Sequence, residues 1–273
     1  MKLDLAALCD LAEHLARDAG RMVRDGRRRG VTETSTKSSE TDMVTEFDRA
    51  SERLIVQGLT NARPQDSIVG EEGTDTEGNS GVRWLIDPID GTTNFLYGLP
   101  GYAVSIAART DAGTQVGVVY VPATDEMFSA VSGGGALLDG RRIACSTAET
   151  LRHALVATGF SYLPDRRRTQ ARRLATILPE VRDVRRFGAA AVDLCYAAAG
   201  RVDAYYEQWL GPWDLAAGEL IAREAGCRTG SFDGGRVRPS EVLAAGPLLF
   251  DQMVTLLAAS DPGTAVDAAP GIM

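Results

Sequence analysis

The ten residues from Trp84 to Thr93, WLIDPIDGTT, constrain the chain more than any other stretch. Trp84, Leu85 and Ile86 read as the end of a buried strand, and the strand runs directly into a carboxylate, Asp87. Pro88 has no N–H to give to a neighbouring strand, so the ladder is expected to stop there. Asp90 supplies a second carboxylate, and Gly91-Thr92 opens a helical turn whose unpaired N–H groups attract an anion. In such a turn Asp87 and Asp90 face one point, with the Ile89 carbonyl between them. An all-oxygen set without His or Cys suits a hard cation such as Mg²⁺. A bare pair of acids at this spacing is more often a solvated turn. The apolar strand before it and the Gly-Thr after it favour a site.

Other acids sit at comparable junctions. SIVGEE at 67–72 ends an apolar strand on Glu71 and Glu72, adjacent carboxylates that repel unless one turns to solvent or a cation. Trp213-Asp214 opens a helix, where an aspartate is ordinarily an N-terminal cap. The stretch from Asp42 to Asp48 places acids on or near another helix, commonly a solvated face.

The charge balance restricts partners. With 29 Lys and Arg against 37 Asp and Glu, the net charge is -8. Nucleic acid and anionic membrane both need a basic face, so neither is expected as a partner. An acidic protein still binds phosphate if cations gather its carboxylates. Lysine occurs only at Lys2 and Lys37, and histidine only at His14 and His153, which makes a Ser-His-Asp triad or a His-rich zinc site improbable. Cys9, Cys145, Cys195 and Cys227 form no CxxC pair and read as free thiols of a reducing compartment. Asp4 and Asp10 interrupt the N-terminal apolar stretch, which is therefore not a signal peptide, and no run reaches the length of a membrane span. Cytoplasm is the expected location.

Periodicity divides the 273 residues into two halves and a tail. Leu8, Leu11, Leu15, Ala19 and Met22 predict a helix over 4–25. Residues 26–41 read as a polar loop whose Arg27-Arg28-Arg29 run is solvated, and a helix is predicted at about 42–62. Apolar runs at 67–72, 82–88, 102–108, 115–121 and 126–131 predict a meander of strands, with 73–81 a surface loop. After about 150 strand and helix alternate: strands at 154–159, at RDVRRFG, at 201–207 and near 242–245; helices at 165–179, at AAAVDLCYAAAG, at 213–226 and at 247–259. The expected units are 1–150, an α+β half with the metal-site loops; 151–260, an α/β half with the substrate wall and the last acid; and 261–273, a loose tail.

GEE at 70–72, WLIDPIDGTTNF at 84–95, AYYE at 204–207 and WDLAAG at 213–218 together resemble the inositol monophosphatase family of Mg²⁺-dependent, lithium-sensitive phosphatases. The resemblance covers nearly the whole chain. It implies a layered αβαβα sandwich of the inositol monophosphatase/fructose-1,6-bisphosphatase type and a homodimer. By resemblance Glu71, Asp87, the Ile89 carbonyl, Asp90 and Asp214 hold two or three Mg²⁺ ions. Gly91 and Thr92 match the phosphate-holding turn, Thr92 with Glu71 the pair that positions the attacking water, and Asp48 the acid behind the threonine. Lys37 matches a position in the loop that helps close the metal site. Gly188, Ala189, Ala190 and Glu207 match the wall that holds the inositol ring, the family commonly having a small hydroxyl residue where this chain has Ala189. The implied reaction is attack by metal-activated water, with no phosphoenzyme.

A carboxylate at Glu207 favours a polyol over an anionic second group, which would call for basic residues; Arg166, Arg167 and Arg168 qualify only if their loop bends over the cleft. Thr93-Asn94-Phe95 matches inositol-selective relatives. myo-Inositol-1-phosphate is therefore the expected substrate, ahead of histidinol phosphate, 3′-phosphoadenosine 5′-phosphate and fructose 1,6-bisphosphate. The competing reading is a non-catalytic regulatory binding protein on the same fold. Intact ligand positions and the acidic charge speak against it.

Overall fold

A computed structural model describes residues 3–29, 34–36 and 43–261. The N-terminal helix α1 (Leu5–Arg29) buries Leu8, Ala12, Leu15, Ala19 and Val23, a stripe at spacings of three and four. It runs a turn past the expected end. Its extension carries Arg27, which is not simply solvated: Nε and Nη2 donate to the carbonyls of Phe95 and Leu96 at 2.8 and 3.1 Å. After strands β1 (Thr34–Thr36) and β2 (Met43–Thr45) comes α2 (Glu46–Ala62), shorter at its start than predicted because Thr45 is its N-cap. Lys37, Asp42 and the tail from 262 lie outside the described residues.

The meander is an eight-stranded sheet. Its strands are β3 (Ser67–Gly70), β4 (Asp75–Thr76), β5 (Arg83–Asp90), β6 (Ala103–Thr110), β7 (Gly113–Val121), β8 (Glu126–Val131), β9 (Gly135–Leu138) and β10 (Arg141–Arg142), in the order β10-β9-β8-β7-β6-β5-β3-β4. Among the described residues of this sheet, only β3 and β5 pair in parallel. The short helix α3 (Thr92–Tyr97) links β5 to β6. The rim strands β4, β9 and β10 have too little apolar periodicity to be read from sequence.

The second half supplies β11 (Leu155–Thr158), α4 (Pro164–Ile177), β12 (Asp183–Arg185), α5 (Ala190–Ala198), β13 (Ala204–Gln208), α6 (Pro212–Glu224), β14 (Arg228–Gly230), β15 (Glu241–Ala245) and α7 (Phe250–Ala259). The five strands order β12-β11-β13-β15-β14. Beyond the end of α6, Gly226 takes φ +94°, a left-handed closure that glycine permits.

Strand alternation builds the layers. Trp84, Ile86, Val116, Val118 and Tyr120 pack on α1 and α2. Leu85, Ala107, Val119 and Val121 point the other way, onto α5 and α6, which meet Tyr205, Val242 and Ala244 of the second sheet from their far side. Val156, Tyr206, Leu243 and Ala245 face outward onto α7. The result is an αβαβα sandwich with α5 and α6 as its middle layer. The small residues of WDLAAG permit that crowding: a Cβ on Gly218 would stand 2.8 Å from the Leu194 Cβ, and one on Gly117 2.6 Å from the Ala217 carbonyl oxygen.

Candidate active site

The strand does not stop at Pro88. β5 continues to Asp90 through a bulge: Asp87 pairs with Ser105 and Asp90 with Ala103, so three steps on one strand match two on the other. Residues three apart on a regular strand face opposite ways, but the extra residue turns both carboxylates to one side. That side is fixed by parity. Asp87 follows Leu85 toward α5 and α6, whereas the Ile89 side chain goes into an outer cluster with Val23, Phe95 and Tyr102. Ile89 thus offers the site only its backbone. The Ile89 N–H donates to Asp87 Oδ1 at 3.0 Å.

Helix starts complete the cavity. The N–H groups of Ala190 and Ala191 donate to Asp90 Oδ1 and Oδ2 at 3.2 and 2.6 Å. The first turn of α5 therefore clamps Asp90 with its positive end as well as forming the wall at Gly188–Ala190. On α6 the N-cap is Gly211 and not Asp214, which stands at the third position and reaches back, its Oδ2 accepting from the Gly211 N–H at 2.7 Å; its carboxylate faces Asp90 across the cavity. Ser105 Oγ donates to the Trp213 carbonyl at 3.2 Å and ties this helix start to β6 beside Asp87.

Gly91 takes φ +88° and precedes α3, where a Cβ would stand 2.8 Å from the Gly101 carbonyl oxygen. Thr92 Oγ1 donates toward Asp48 Oδ1 at 3.0 Å and the Ile89 carbonyl at 3.1 Å. Asp48 is buried at the third position of α2, with Oδ2 accepting from Thr45 N at 2.7 Å and from the Thr45 hydroxyl. Since Asp48 and Ile89 take the Thr92 proton, the hydroxyl oxygen is left with a lone pair for another donor.

Glu207 lies on the inner face of β13, two residues after Tyr205, whose hydroxyl donates to Glu207 Oε2 at 2.8 Å. A Cβ on Gly159 would come within 2.0 Å of that carboxyl, so the glycine is what makes room for it. Glu71, Asp87, Ile89, Asp90, Gly91, Thr92, Gly188, Ala189, Ala190, Glu207 and Asp214 all line one cavity of about 270 Å³. Lys37 falls outside the described residues. Of the three consecutive arginines of α4, Arg166 does reach the cavity, its guanidinium 5.0 Å from the Trp209 ring centre, and Arg168 pairs with Asp165 instead; Arg186 also lines the cavity, so basic groups stand beside its acids.

The electrostatics are those of acids held together. Burial pushes Asp87 well above the usual carboxylate range, reinforced by Glu71, Asp90 and Asp214. Burial and Asp214 do the same to Asp90, against the opposing pull of the Ala191 N–H. Burial raises Glu207 to about 7. Among the described residues, no three His, Cys, Asp or Glu side chains are gathered tightly enough to hold an ion. Backbone N–H groups hold two of these acids, those of α5 taking Asp90 of β5 and that of Gly211 taking Asp214 at the start of α6. The donor chemistry nevertheless fits a hard divalent cation: several carboxylates and a carbonyl in one cavity, with no His or Cys lining it.

Ser51 and Glu52 were not legible as site residues, nor was Asn94 as an anchor. Asn94 Nδ2 donates to the Gly101 and Phe187 carbonyls at 2.5 and 2.6 Å and joins the two halves behind the cavity. The available signal for Ser51 and Glu52 was their spacing from Asp48, three and four residues along one helix.

The model of the inositol monophosphatase family matches residues 4–263, and the chain belongs to that family. It is a phosphoric monoester hydrolase, of a family that is generally metal-dependent. It is 44% identical to the inositol-1-monophosphatase SuhB of Mycobacterium tuberculosis, over 92% of this chain and 93% of that one. It is 40% identical to the Nus factor SuhB of Escherichia coli, over 90% and 94% respectively. The crystal structure of the extragenic suppressor protein SuhB from Bartonella henselae superposes with a TM-score of 0.87 at 36% identity, covering 92% of this chain and 98% of that one. Among the described residues no helix is long and apolar enough to cross a membrane.

Proposed function

We propose that the protein hydrolyses myo-inositol-1-phosphate to inositol and phosphate with Mg²⁺. The observation that carries this reading is the bulge at Pro88-Ile89, which turns Asp87 and Asp90 together toward Glu71 and Asp214 beside the Thr92 hydroxyl. Glu71, Asp87, the Ile89 carbonyl, Asp90 and Asp214 would hold two or three ions. Bound there, Mg²⁺ supplies charge neutralisation of the phosphate oxygens and a lowered pKa for water.

The remaining work belongs to the chain. Gly91 and Thr92 receive the phosphate. Thr92, its own proton engaged by Asp48, accepts a hydrogen bond from the attacking water, and Glu71 accepts the other proton. Gly188, Ala189 and Ala190 form a flat wall for the ring, and Glu207 accepts from a ring hydroxyl. Lys37 is assigned to closing the site. Ala189 removes one hydrogen bond that a hydroxyl residue would offer the substrate.

A homodimer in the cytoplasm is the expected setting, in keeping with four free thiols. Sedimentation of the full chain checks the assembly. The substrate reading is tested by comparing kcat/KM for inositol-1-phosphate with that for histidinol phosphate, 3′-phosphoadenosine 5′-phosphate and fructose 1,6-bisphosphate. A higher value for any of the latter overturns it.

A further inference from the structure

Helix α2 touches the site with one polar stripe. Asp48, Ser51 and Glu52 are all buried, and their spacing of three and four residues puts them on one face. Each holds a different segment. Asp48 accepts from Thr92 Oγ1 at 3.0 Å. Ser51 Oγ donates to the Pro88 carbonyl, inside the bulge that aims Asp87 and Asp90, at 3.0 Å. Glu52 spans the turn after β3: Oε2 accepts from the Glu72 N–H at 2.8 Å, and Oε1 accepts from Thr74 N at 3.1 Å and Thr74 Oγ1 at 2.6 Å. The turn so enclosed carries Glu71.

A buried carboxylate is costly unless its oxygens are hydrogen-bonded. Here both oxygens are used, and the fold makes space for the group: a Cβ on Gly70 would stand 2.4 Å from Glu52 Oε2. The backbone closes the turn at its base, the Gly70 N–H donating to the Thr74 carbonyl at 2.8 Å and the Glu71 N–H to the Ile86 carbonyl at 3.1 Å, while β4 beyond it pairs with β3 only through Thr76 and Asp75. To these bonds Glu52 adds a hold on residues 72 and 74, the stretch by which the chain leaves Glu71, and so helps to set the direction of the Glu71 side chain.

We propose that Glu52 is a positioning residue for the metal centre: by holding the 71–74 turn it places Glu71, and so sets cation affinity without touching cation or substrate. This rests on the metal-dependent reading of the site. Glutamine at 52 keeps the size but has only one acceptor oxygen. Its amide nitrogen must then face the N–H of Glu72 or that of Thr74, and the turn shifts on that side.

The test is Mn²⁺ binding to the full-length chain, read by the loss of free-ion signal in electron paramagnetic resonance, beside Mg²⁺ activation curves and thermal melts. Glu52→Gln is expected to weaken Mn²⁺ binding by roughly 10- to 100-fold, the usual range for a group that supports a metal ligand. The Mg²⁺ activation curve should move right by a similar factor, with KM for inositol-1-phosphate at saturating Mg²⁺ nearly unchanged. Thr74→Val, which deletes one donor to Glu52, should shift both in the same direction by less. If Glu52→Gln melts lower yet binds Mn²⁺ like the wild type, Glu52 is only a staple for the sheet edge and the proposal is overturned. Should Glu52→Gln fail to fold, unchanged Mn²⁺ affinity in Thr74→Val overturns it equally. A wild-type chain that binds no Mn²⁺ removes the metal centre and this proposal together, whereas a binding wild type with unaffected variants removes this proposal alone.

Discussion

Glu207→Gln should lower activity and raise stability at the same time. The carboxyl is enclosed at the end of β13, and burial lifts it from 4.5 to about 7. An acid whose folded pKa lies above its unfolded value binds more protons when folded between the two. Its ionisation therefore costs nothing below about pH 4.5, opposes folding progressively as the pH rises toward about 7, and levels off above that. At 1.36 kcal/mol per unit, and discounted because the group borders an open cavity, the cost at pH 8 is about 1–3 kcal/mol. Glutamine has no charge to bury and keeps an oxygen for the Tyr205 hydroxyl, so the variant should melt higher at pH 8 than the wild type and lose that advantage by pH 4.5. Activity moves the other way. Loss of a charge-assisted hydrogen bond to a ring hydroxyl costs ~1.5–3 kcal/mol. That is roughly a 10- to 150-fold drop in kcat/KM for inositol-1-phosphate, at 1.4 kcal/mol per decade. A small phosphate ester without ring hydroxyls should be cleaved nearly as before. Melts across pH and kinetics on the two substrates decide the matter. Equal losses on both esters would refute the assignment of Glu207 to the ring, and a variant less stable at pH 8 would refute the cost ascribed to its buried charge.

The other expectations divide the cavity by role. Asp90→Asn and Asp214→Asn should both abolish turnover with the fold intact in circular dichroism; a mere cap at 214 would instead keep activity and lose only ~0.5–2 kcal/mol in melts. Gly159→Ala should mimic Glu207→Gln on inositol-1-phosphate by displacing the carboxyl, with the ring-free ester again spared in the same kinetic comparison. Li⁺ should inhibit turnover in steady-state assays at fixed Mg²⁺, and insensitivity would separate this chain from the lithium-sensitive pattern of its family.

Much of the architecture was readable because period-2 and period-3.6 patterns are strong where faces are buried. β7 alternates Val116, Val118 and Tyr120 against Val119 and Val121, and α1 buries the expected Leu8, Leu15 and Ala19, with Ala12 and Val23 deeper than the expected Leu11 and Met22. Two features depended on tertiary context. Pro88 looks like the end of a ladder, but a bulge carries β5 past it, because Asp90 gains the α5 N–H groups by reaching the inner face. Arg27 looks solvated until α3 brings its carbonyls within reach. The site acids stood out because each follows an apolar run or opens a helix. Their supports did not: Ser51, Glu52 and Asn94 are ordinary polar residues until the fold sets a carbonyl or an N–H against them.

The most direct test of the central claim is the initial rate of phosphate release from myo-inositol-1-phosphate by the full chain, with Mg²⁺ and with excess chelator. The buried carboxylates that surround the Asp87–Asp90 bulge predict turnover that vanishes in chelator and returns on adding Mg²⁺. Full activity in chelator, or no release with Mg²⁺ present, would contradict the account.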